Sequence, residues 1–382
     1  MNILVSCGVF HPHKGGAEAL FGDLGELLTE NGHGVDVITR RLPHTSETES
    51  YRGASIHRFD YPVSYGRFKT QPEFHDRSVA ILNRLRALIS TRQIGVVCIG
   101  LLDMSVMYLL ALRRVMSFRL ILYLHGGEMR GMPEVSPSYK ELLDHCFDDS
   151  DAIISVSNGL AEEAMRSYPD VHQKLHVVRN GFDLKRLREC PANQAKRPYI
   201  LFVGRLHEQK NVGLILRAFR VFVDRAGAAD LILAGTGEEE ESLKALAAEL
   251  NLGDRVTFIG AQSRDQVFAL MKGALCLVLA SESEGLPIVV LEAFGARLPV
   301  VAPSVAGITE LVAHNQNGLL FEFGDANQMA ELMLRLSSSP DLLEDLRDNV
   351  AWLDVERYDL RSLWRSHLAI WTGDPAAGAW RA

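Results

Sequence analysis

The stretch Ser281-Glu282-Ser283-Glu284-Gly285-Leu286-Pro287-Ile288-Val289-Val290-Leu291-Glu292-Ala293 is the most informative part of this chain. The apolar run before it, 274–280, predicts a buried parallel strand. The residues after Pro287 predict a helix, because proline is favoured at a helix start, where its missing N–H would be unpaired anyway. Glu284 is therefore expected in a loop at the carboxyl end of a strand, with Glu292 about two turns further on.

This arrangement brings together two kinds of binding group. The main-chain amides of Gly285 and Leu286, beside Pro287 at a helix N-terminus, are placed to bind a phosphate. The carboxylates of Glu284 and Glu292 accept hydrogen bonds from hydroxyl groups. A nucleotide sugar has both phosphates and hydroxyls, whereas the plain alternative is an ordinary strand–loop–helix with two surface glutamates.

Apolar runs alternate with helical patterns along the whole chain, which predicts βαβ units and an α/β fold with parallel sheets. The polar segment 185–198 breaks this pattern and predicts a linker between two domains. We therefore expect Rossmann-like, doubly wound domains at 1–184 and 199–355, followed by a final helix at about 356–371. A doubly wound sheet binds ligands at the carboxyl ends of its strands, so two such domains predict a cleft between them.

Composition supports a globular protein and excludes some functions. The 382 residues exceed the usual size of one core, and the apolar and charged fractions are 47% and 23%. The net charge of −8 argues against a nucleic-acid binder, which would show a strong basic excess. No apolar run is long enough to span a membrane, and the first residues predict a strand rather than a signal peptide. The five scattered cysteines predict free thiols, and all these features favour a cytoplasmic protein.

Two further loops in the second half carry candidate binding residues. Arg205 and Lys210 follow a predicted strand directly and precede a helix, so both cations would project from a strand-to-helix loop. Fixed cations stabilise the negative charge that develops on a departing diphosphate. Gly235, in a Gly-x-Gly turn, and Gly260 each follow a predicted strand and favour close approach of the main chain to a ligand.

The first half adds two weaker candidates. Gly15 and Gly16 follow the first strand and precede a helix, where paired glycines let backbone amides approach a ligand. His125 ends a strand and is followed by two glycines, at the edge where such sheets bind ligands. A flexible loop and a structural histidine are the ordinary alternatives.

Taken together, these motifs resemble the glutamate–seven residues–glutamate signature and the Gly-Arg-Leu…Lys-Asn motif of the family-four retaining glycosyltransferases (glycosyl transferases group 1), which have the GT-B fold. The resemblance covers most of the chain and is closest over 199–321. It implies transfer of a hexose-type sugar from a UDP- or GDP-sugar to an acceptor hydroxyl, in glycan, polysaccharide or glycolipid biosynthesis. It also implies that the final helix crosses back to the N-terminal domain.

The resemblance further implies roles for individual residues. Arg205 and Lys210 would hold the diphosphate, Glu284 the hydroxyls of the donor sugar, and Glu292 the ribose. His125 would contact the transferred sugar and count, with Arg205, Lys210 and Glu284, among the catalytic residues. The remaining donor-binding positions are at glycines and one turn, namely Gly15, Gly16, Gly235, Gly260, Gly285, Leu286 and Pro287. No cofactor and no metal are implied, and front-face transfer would let the departing phosphate deprotonate the acceptor.

Several alternatives remain open. A nucleotide-sugar epimerase of the same fold and a non-catalytic nucleotide-sugar-binding protein would share these motifs. Asp149 and Asp151 form an Asp-x-Asp triplet, which is a metal-binding mark in another glycosyltransferase fold. The predicted partners are the nucleotide-sugar donor and a glycan, lipid-linked or small-molecule acceptor, without nucleic acid.

The segment 52–92 also suggests a membrane-facing surface. It holds eight basic and three acidic residues, and a helical apolar stripe runs through its second half, from Val79 to Ile89. Anionic lipids attract such basic segments, which would place the enzyme peripherally at the inner face of the membrane. The alternative is a helix that packs its stripe on its own domain. The sequence does not predict an oligomeric state.

Overall fold

A computed structural model describes residues 1–13, 15–61, 73–129 and 137–374. The chain forms two compact units, one of which is discontinuous in sequence. The first unit combines Met1–Asn180 with Leu360–Ala382, and the second unit is Gly181–Asp359. Each unit has a largely parallel sheet with helices, as the alternating pattern predicts for an α/β protein.

The first unit contains an eight-stranded sheet in the order β3-β4-β2-β1-β5-β6-β7-β8. All neighbouring strands are parallel except β3 and β4, which form an antiparallel pair at one edge. The central strands are continuous apolar runs and are almost wholly buried, as expected for a parallel sheet covered on both faces. The strands are β1 (Asn2–Ser6), β2 (Gly34–Arg40), β3 (Thr48–Tyr51), β4 (Ala54–Phe59), β5 (Val96–Ile99), β6 (Arg119–Leu124), β7 (Ala152–Ser155) and β8 (Leu175–Val177).

Helices connect these strands and bury an apolar face against the sheet. Among the described residues, five of them precede the second unit, and a sixth comes from the far end of the chain and packs beside the first helix. That last helix buries Leu360, Trp364, His367, Ile370 and Trp371. The helices are α1 (Gly16–Glu30), α2 (Glu73–Thr91), α3 (Ser105–Arg113), α4 (Pro137–Asp149), α5 (Asn158–Ser167) and the last helix, α13 (Leu360–Thr372).

The second unit contains a six-stranded parallel sheet in the order β11-β10-β9-β12-β13-β14. Its strands are β9 (Tyr199–Val203), β10 (Asp230–Ala234), β11 (Val256–Gly260), β12 (Cys276–Val278), β13 (Val300–Pro303) and β14 (Gly318–Phe321). Its helices are α6 (Leu184–Glu189), α7 (Val212–Asp224), α8 (Glu240–Glu249), α9 (Arg264–Gly273), α10 (Ile288–Gly295), α11 (Ala326–Ser338) and α12 (Pro340–Ala351).

The division between the units differs from the predicted linker at 185–198. The boundary falls between Asn180 and Gly181, and residues 185–198 belong to the second unit. The reason is α6, in which Leu184 and Leu187 are buried and the helix packs against α9 and α10. Two apolar side chains three residues apart suffice to attach one helical turn, although their segment is otherwise polar.

The strands β3 and β4 are not apparent from runs of apolar residues in the sequence. Every second residue of β4 is buried, as in a typical strand. One of these buried residues is Arg58, so the sequence lacks the alternation of apolar and polar residues that would predict a strand. Arg58 is fully buried because its guanidinium donates to the carbonyls of His11 and Ser46 and pairs with Glu49 at 2.7 Å. A buried charge is tolerated when it is paired and hydrogen-bonded in this way.

The apolar stripe in 52–92 packs mainly on its own unit. Ile81, Leu85 and Ile89 of α2 are buried, whereas Val79 is exposed. The basic residues of this segment are also largely paired inside the unit. Arg52 contacts Asp23 and Glu26, Arg58 contacts Glu49, Arg84 contacts Glu47, and Arg92 contacts Asp36, while Arg67 and Lys69 lie outside the described residues. Within the described ranges, no helix is both long and apolar enough to span a membrane.

Candidate functional site

The second sheet has a topological switch point between β9 and β12. From β9 the chain moves to β10 on one side of the sheet, while β12 pairs with β9 on the other side. Loops that leave neighbouring strands in opposite directions open a crevice at the carboxyl ends, where doubly wound sheets bind ligands. The loop after β9 carries Arg205 and Lys210, and the loop after β12 carries Glu284.

Lys210 and Glu284 meet at this switch point, although 74 positions separate them in sequence. Lys210 Nζ donates to Glu284 Oε1 at 2.6 Å, and the two side chains are 25% and 13% exposed. Limited exposure to solvent strengthens the interaction of these charges with each other and with a ligand. The structure therefore brings two of the predicted catalytic residues into direct contact.

Local geometry fixes Lys210 at the end of a short turn. Residues Glu208–Lys210 form one turn of 3-10 helix, and His207 Nδ1 accepts a hydrogen bond from the Gln209 amide at 3.1 Å. Asn211 then adopts a left-handed conformation with φ of 47° and leads into α7. Arg205 lies on the same loop, is exposed, and has no ion-pair partner within the described part of the chain.

The loop that carries Glu284 is backed by a glycine from the loop after β13. Gly307 has a φ of 80°, and a Cβ atom there would overlap the carbonyl oxygens of Glu284 and Gly285. Only glycine permits this close approach without strain. Leu286 and Pro287 are buried, so the main chain is the part of this turn that can contact a ligand.

Glu292 lies on α10 and forms an ion pair with a residue that the sequence analysis did not select. Arg264 Nη2 contacts Glu292 Oε1 at 2.8 Å, and the Glu292 side chain is only 4% exposed. Arg264 is the first residue of α9, inside the capping box formed by Ser263 and Gln266, and its guanidinium lies over the Phe268 ring. The sequence could have indicated Arg264 as a candidate, because it begins a helix shortly after Gly260, and that helix start lies at the carboxyl edge of the sheet.

Gly235 and Gly260 join the loops of this edge. Gly235 has a φ of 150°, and a Cβ atom there would overlap the carbonyl oxygen of Gly204. Its amide donates to the Gly260 carbonyl at 2.9 Å, and the Leu206 amide donates to the Thr236 carbonyl at 3.0 Å. The Gly-x-Gly turn therefore supports the loop that carries Arg205 and Lys210, which is a structural contribution to the site.

In the first unit, His125 lies at the carboxyl end of β6. The amides of His125 and Gly126 both donate to Glu128 Oε2 at 2.9 Å, which fixes the turn after the strand. Burial lowers the pKa of His125, and the carboxylates of Glu128 and Glu18 oppose this only in part. Its Nε2 atom is buried and has no hydrogen-bond partner among the described residues. The imidazole is therefore neutral, with one nitrogen left to bind a polar group.

The carboxylate of Glu18 lies against the glycine loop that follows β1. Gly15 is the N-cap of α1, and the carboxylate of Glu18 folds back against it, as the overlap of a Gly15 Cβ atom with Glu18 Oε2 shows. Glu18 Oε1 also lies 3.7 Å from His13 Nε2. A carboxylate at this position interacts favourably with the helix dipole. The amide end of α1 that was predicted to receive a donor phosphate through Gly15 and Gly16 thus has Glu18 beside it, while Lys14 lies outside the described residues.

Asp103 is a further candidate that the sequence analysis missed. It follows β5, which neighbours β1 at the switch point of the first sheet. Its Oδ1 atom accepts hydrogen bonds from the Ser105 amide at 3.0 Å and from the Ser105 hydroxyl, which also contacts Ser6. Burial raises the pKa of Asp103 to about 6. Its place after a strand was the available signal, because polar residues at strand ends gather at the ligand edge.

The Asp149 and Asp151 carboxylates are both engaged by arginines. Arg113 binds Asp151 at 2.8 and 2.9 Å, Arg114 binds Asp149 at 2.8 and 3.1 Å, and Asp151 also accepts from the Leu120 amide. In the ranges that the structure describes, no group of three or more His, Cys, Asp and Glu side chains is placed to hold a metal ion.

Comparison with known proteins matches both units to glycosyltransferases. The family model for glycosyl transferases group 1 matches residues 185–351, and the model for glycosyltransferase family 4 matches residues 14–186. The chain is 24% identical to the N-acetyl-alpha-D-glucosaminyl L-malate synthase of Bacillus anthracis, over 90% of this chain and 89% of that protein. It is 25% identical to a GDP-mannose-dependent phosphatidylinositol monomannoside mannosyltransferase of Mycobacterium tuberculosis, over 87% and 88% of the two chains.

The fold has close counterparts among solved structures. The Anabaena protein HepE, solved in complex with UDP-glucose, superposes with a TM-score of 0.78 at 16% identity, over 98% of this chain and all of that chain. At this identity the likeness establishes the fold, whereas the two family models establish descent over nearly the full length. The chain therefore belongs to the group 1, family-four glycosyltransferases and has their GT-B fold.

Proposed function

We propose that this glycosyltransferase is a retaining, metal-independent enzyme that transfers a hexose-type sugar from a UDP- or GDP-sugar to an acceptor hydroxyl. The observation that carries the proposal is the Lys210–Glu284 contact at the switch point of the second sheet. A nucleotide sugar offers a diphosphate to the cation and sugar hydroxyls to the carboxylate. HepE, which shares the fold, has been solved with UDP-glucose, and the mycobacterial relative is named as GDP-mannose-dependent.

The reaction separates charge at the bond between the sugar and the phosphate. The C1–oxygen bond breaks, its electron pair stays on the diphosphate, and the acceptor oxygen bonds to C1. Lys210 and Arg205 stabilise the departing diphosphate, because fixed cations act most strongly where charge develops. The acceptor proton goes to the departing phosphate oxygen on the same face of the sugar, which accounts for retention.

The remaining residues are assigned to binding. Glu284 accepts hydrogen bonds from the donor sugar, and Glu292 accepts from the ribose hydroxyls. The neutral His125 accepts a hydrogen bond from a sugar hydroxyl at its Nε2 atom, which has no other partner among the described residues. The cations of the second unit take the place of a bound metal ion in this scheme.

A matrix of donors and acceptors tests the proposal against its two alternatives. The protein is incubated with UDP-glucose, UDP-N-acetylglucosamine or GDP-mannose, with and without L-malate or a simple glycoside, and the products are separated. Transfer requires the acceptor and releases the nucleoside diphosphate, whereas epimerisation changes the sugar without an acceptor, and a binding protein changes neither. Thermal unfolding ranks the donors first, since a ligand at 100 times its Kd adds about 2.7 kcal/mol to the free energy of unfolding.

Metal independence is tested in the same assay. Turnover with excess EDTA should equal turnover without it. Complete loss of turnover that manganese restores would contradict this part of the proposal and direct attention back to Asp149 and Asp151.

A further inference from the structure

A buried hydrogen-bonded group links the last helix to the strand that carries His125. Trp371 Nε1 donates to the Tyr123 hydroxyl at 3.0 Å, and the same hydroxyl lies 2.9 Å from His367 Nδ1. An indole N–H only donates, and the phenol has a single hydrogen. Trp371 Nε1, the Tyr123 hydroxyl and His367 Nδ1 are all satisfied when Trp371 donates to Tyr123 and Tyr123 donates to His367.

The rings of this group continue directly to His125. His367 stacks on Tyr123 with ring centroids 5.8 Å apart, and Tyr123 stacks on His125 at 5.9 Å with an interplanar angle of 12°. Phe21 of α1 meets both Tyr123 and His125 edge-on, at 5.0 and 5.9 Å. The His125 ring thus has Tyr123 on one face and Phe21 as an edge-on neighbour, beside a hydrogen bond with the main chain of Gly100. The face contact is the one that depends on the position of Tyr123.

Packing alone does not require a histidine at position 367. The side chain is 1% exposed, and its Nε2 atom is buried without a hydrogen-bond partner among the described residues. Burial, with a smaller contribution from His125, lowers the pKa of His367 to about 3. A buried polar atom without a partner is costly, and a leucine would fill a helix position of this kind without that cost. The histidine is therefore explained best by the hydrogen bond that it accepts.

We propose that His367 is a positioning residue for His125, acting through the Tyr123 hydroxyl and the stacked rings. The last helix thereby sets the orientation of the sugar-contacting group of the first unit. This inference rests on the proposed function only in the role given to His125. The placement of the His125 ring by His367 is independent of that role.

Four variants and a control separate positioning from simple packing. His367→Leu removes the acceptor, Tyr123→Phe removes the hydroxyl, and the double variant removes both. His367→Asn keeps an acceptor near the place of Nδ1. Trp364→Phe is the matched control, because Trp364 is buried on the same helix and takes no part in the hydrogen-bonded group.

The first measurement needs no substrate. Histidine-labelled protein gives ring ¹⁵N signals, which His125→Gln assigns to His125. We expect the His125 signals to move in His367→Leu and Tyr123→Phe, and to stay near the wild-type position in His367→Asn and Trp364→Phe. Unmoved signals in His367→Leu, or an equal movement in Trp364→Phe, would overturn the proposal.

The second measurement uses the donor that the thermal ranking selects. His367→Leu should lower kcat/KM for the donor about tenfold, the equivalent of one hydrogen bond at about 1.4 kcal/mol. His367→Asn should restore most of this loss. If the ring signals move as expected and no variant shows turnover with any donor, the proposed function fails while the positioning role stands. If the loss of kcat/KM in every variant, including Trp364→Phe, is proportional to the decrease in its melting temperature, the positioning role fails.

Discussion

The two units prepare their ligand-facing edges in different ways. At the edge of the second sheet, Lys210 and Arg264 are paired with Glu284 and Glu292, so opposite charges are held in contact. In the first unit, His125 is a neutral ring backed by Tyr123 and Phe21. The proposed function assigns the sugar hydroxyl groups to His125 in the first unit and the charged diphosphate to Arg205 and Lys210 in the second unit.

The largest effect is expected at the charged edge of the second unit. Lys210→Ala should raise the barrier by roughly 2–4 kcal/mol, a loss of about 30- to 1000-fold in turnover, because the departing diphosphate loses a fixed cation. Arg205→Ala should act in the same direction. Lys244→Ala is the matched control, since Lys244 pairs with Glu240 and Glu241 on the exposed helix α8. Wild-type turnover in both Lys210→Ala and Arg205→Ala would contradict the assignment of the diphosphate to the cations of the second unit.

The second effect concerns stability of the same edge. Arg264→Ala should lower the free energy of unfolding by about 2–3 kcal/mol, because the nearly buried Glu292 carboxylate loses its arginine. Arg297→Ala removes an ion pair of the same 2.8 Å length with Asp348, but both side chains there are more than half exposed. That control should cost less than about 1 kcal/mol. Urea unfolding of the two variants gives the comparison, and equal losses would mean that burial does not distinguish the pairs.

The third effect is the pH dependence of stability that the buried, neutral His367 of the first unit causes. The pKa of His367 falls from an ordinary 6.5 to about 3 in the folded protein. Between these values the unfolded chain binds a proton that the folded chain does not, so stability is complete above pH 6.5 and falls as the pH decreases. From pH 6.5 to 5 the loss is about 2 kcal/mol, at 1.36 kcal/mol for each pH unit.

The variant His367→Asn provides the reference for this measurement. Its difference in stability from the wild type should shift in favour of the variant by that amount as the pH is lowered, since Tyr123 and Trp371 do not titrate there and His125 is present in both proteins. A difference that stays constant between pH 7 and pH 5 would show that His367 accepts a proton in the folded state.

The smallest effect concerns the basic segment of the first unit. Four of its arginines are paired internally, whereas Arg77 and Arg86 are exposed and have no ion pair in the described ranges. At about 1 kcal/mol for each basic residue near anionic lipid, they support only weak attachment. Co-sedimentation with phosphatidylserine vesicles at low salt should show this weak binding, and Arg77→Glu with Arg86→Glu should abolish it. No sedimentation at low salt would leave the enzyme without a membrane surface in this segment.

The sequence predicts the second unit better than the first for physical reasons. Its strands, for example β9 and β10, are apolar runs with turn residues after them, which is the pattern that predicts buried parallel strands. In the first unit, β4 buries the arginine Arg58, and the pattern that reveals a strand is lost. Alternating apolar and polar residues reveal a strand whose buried side chains are apolar. They do not reveal a strand that buries a charged side chain paired with residues distant in sequence.

The candidate site divides in the same way. Arg205, Lys210 and Glu284 were predictable because each follows a strand, and strand ends gather at one edge of the sheet. The position of Arg264 at a helix start near Gly260 was visible in the sequence, but its contact with Glu292 was not, since that contact depends on how α9 and α10 pack. Nor does any local pattern connect Tyr123 with His367, which are 244 residues apart. Long-range contacts of this kind need the coordinates.

The return of α13 to the first unit has a consequence for synthesis on the ribosome. The 179 residues of the second unit, 181–359, are made between the two parts of the first unit. At 5–20 residues per second this takes roughly 10–40 s. During that time Tyr123 lacks its partners on α13, and apolar surface that Trp364 and Trp371 will cover is open to chaperones or to other chains. A truncation that removes only the last twenty residues should therefore damage the unit that was translated first.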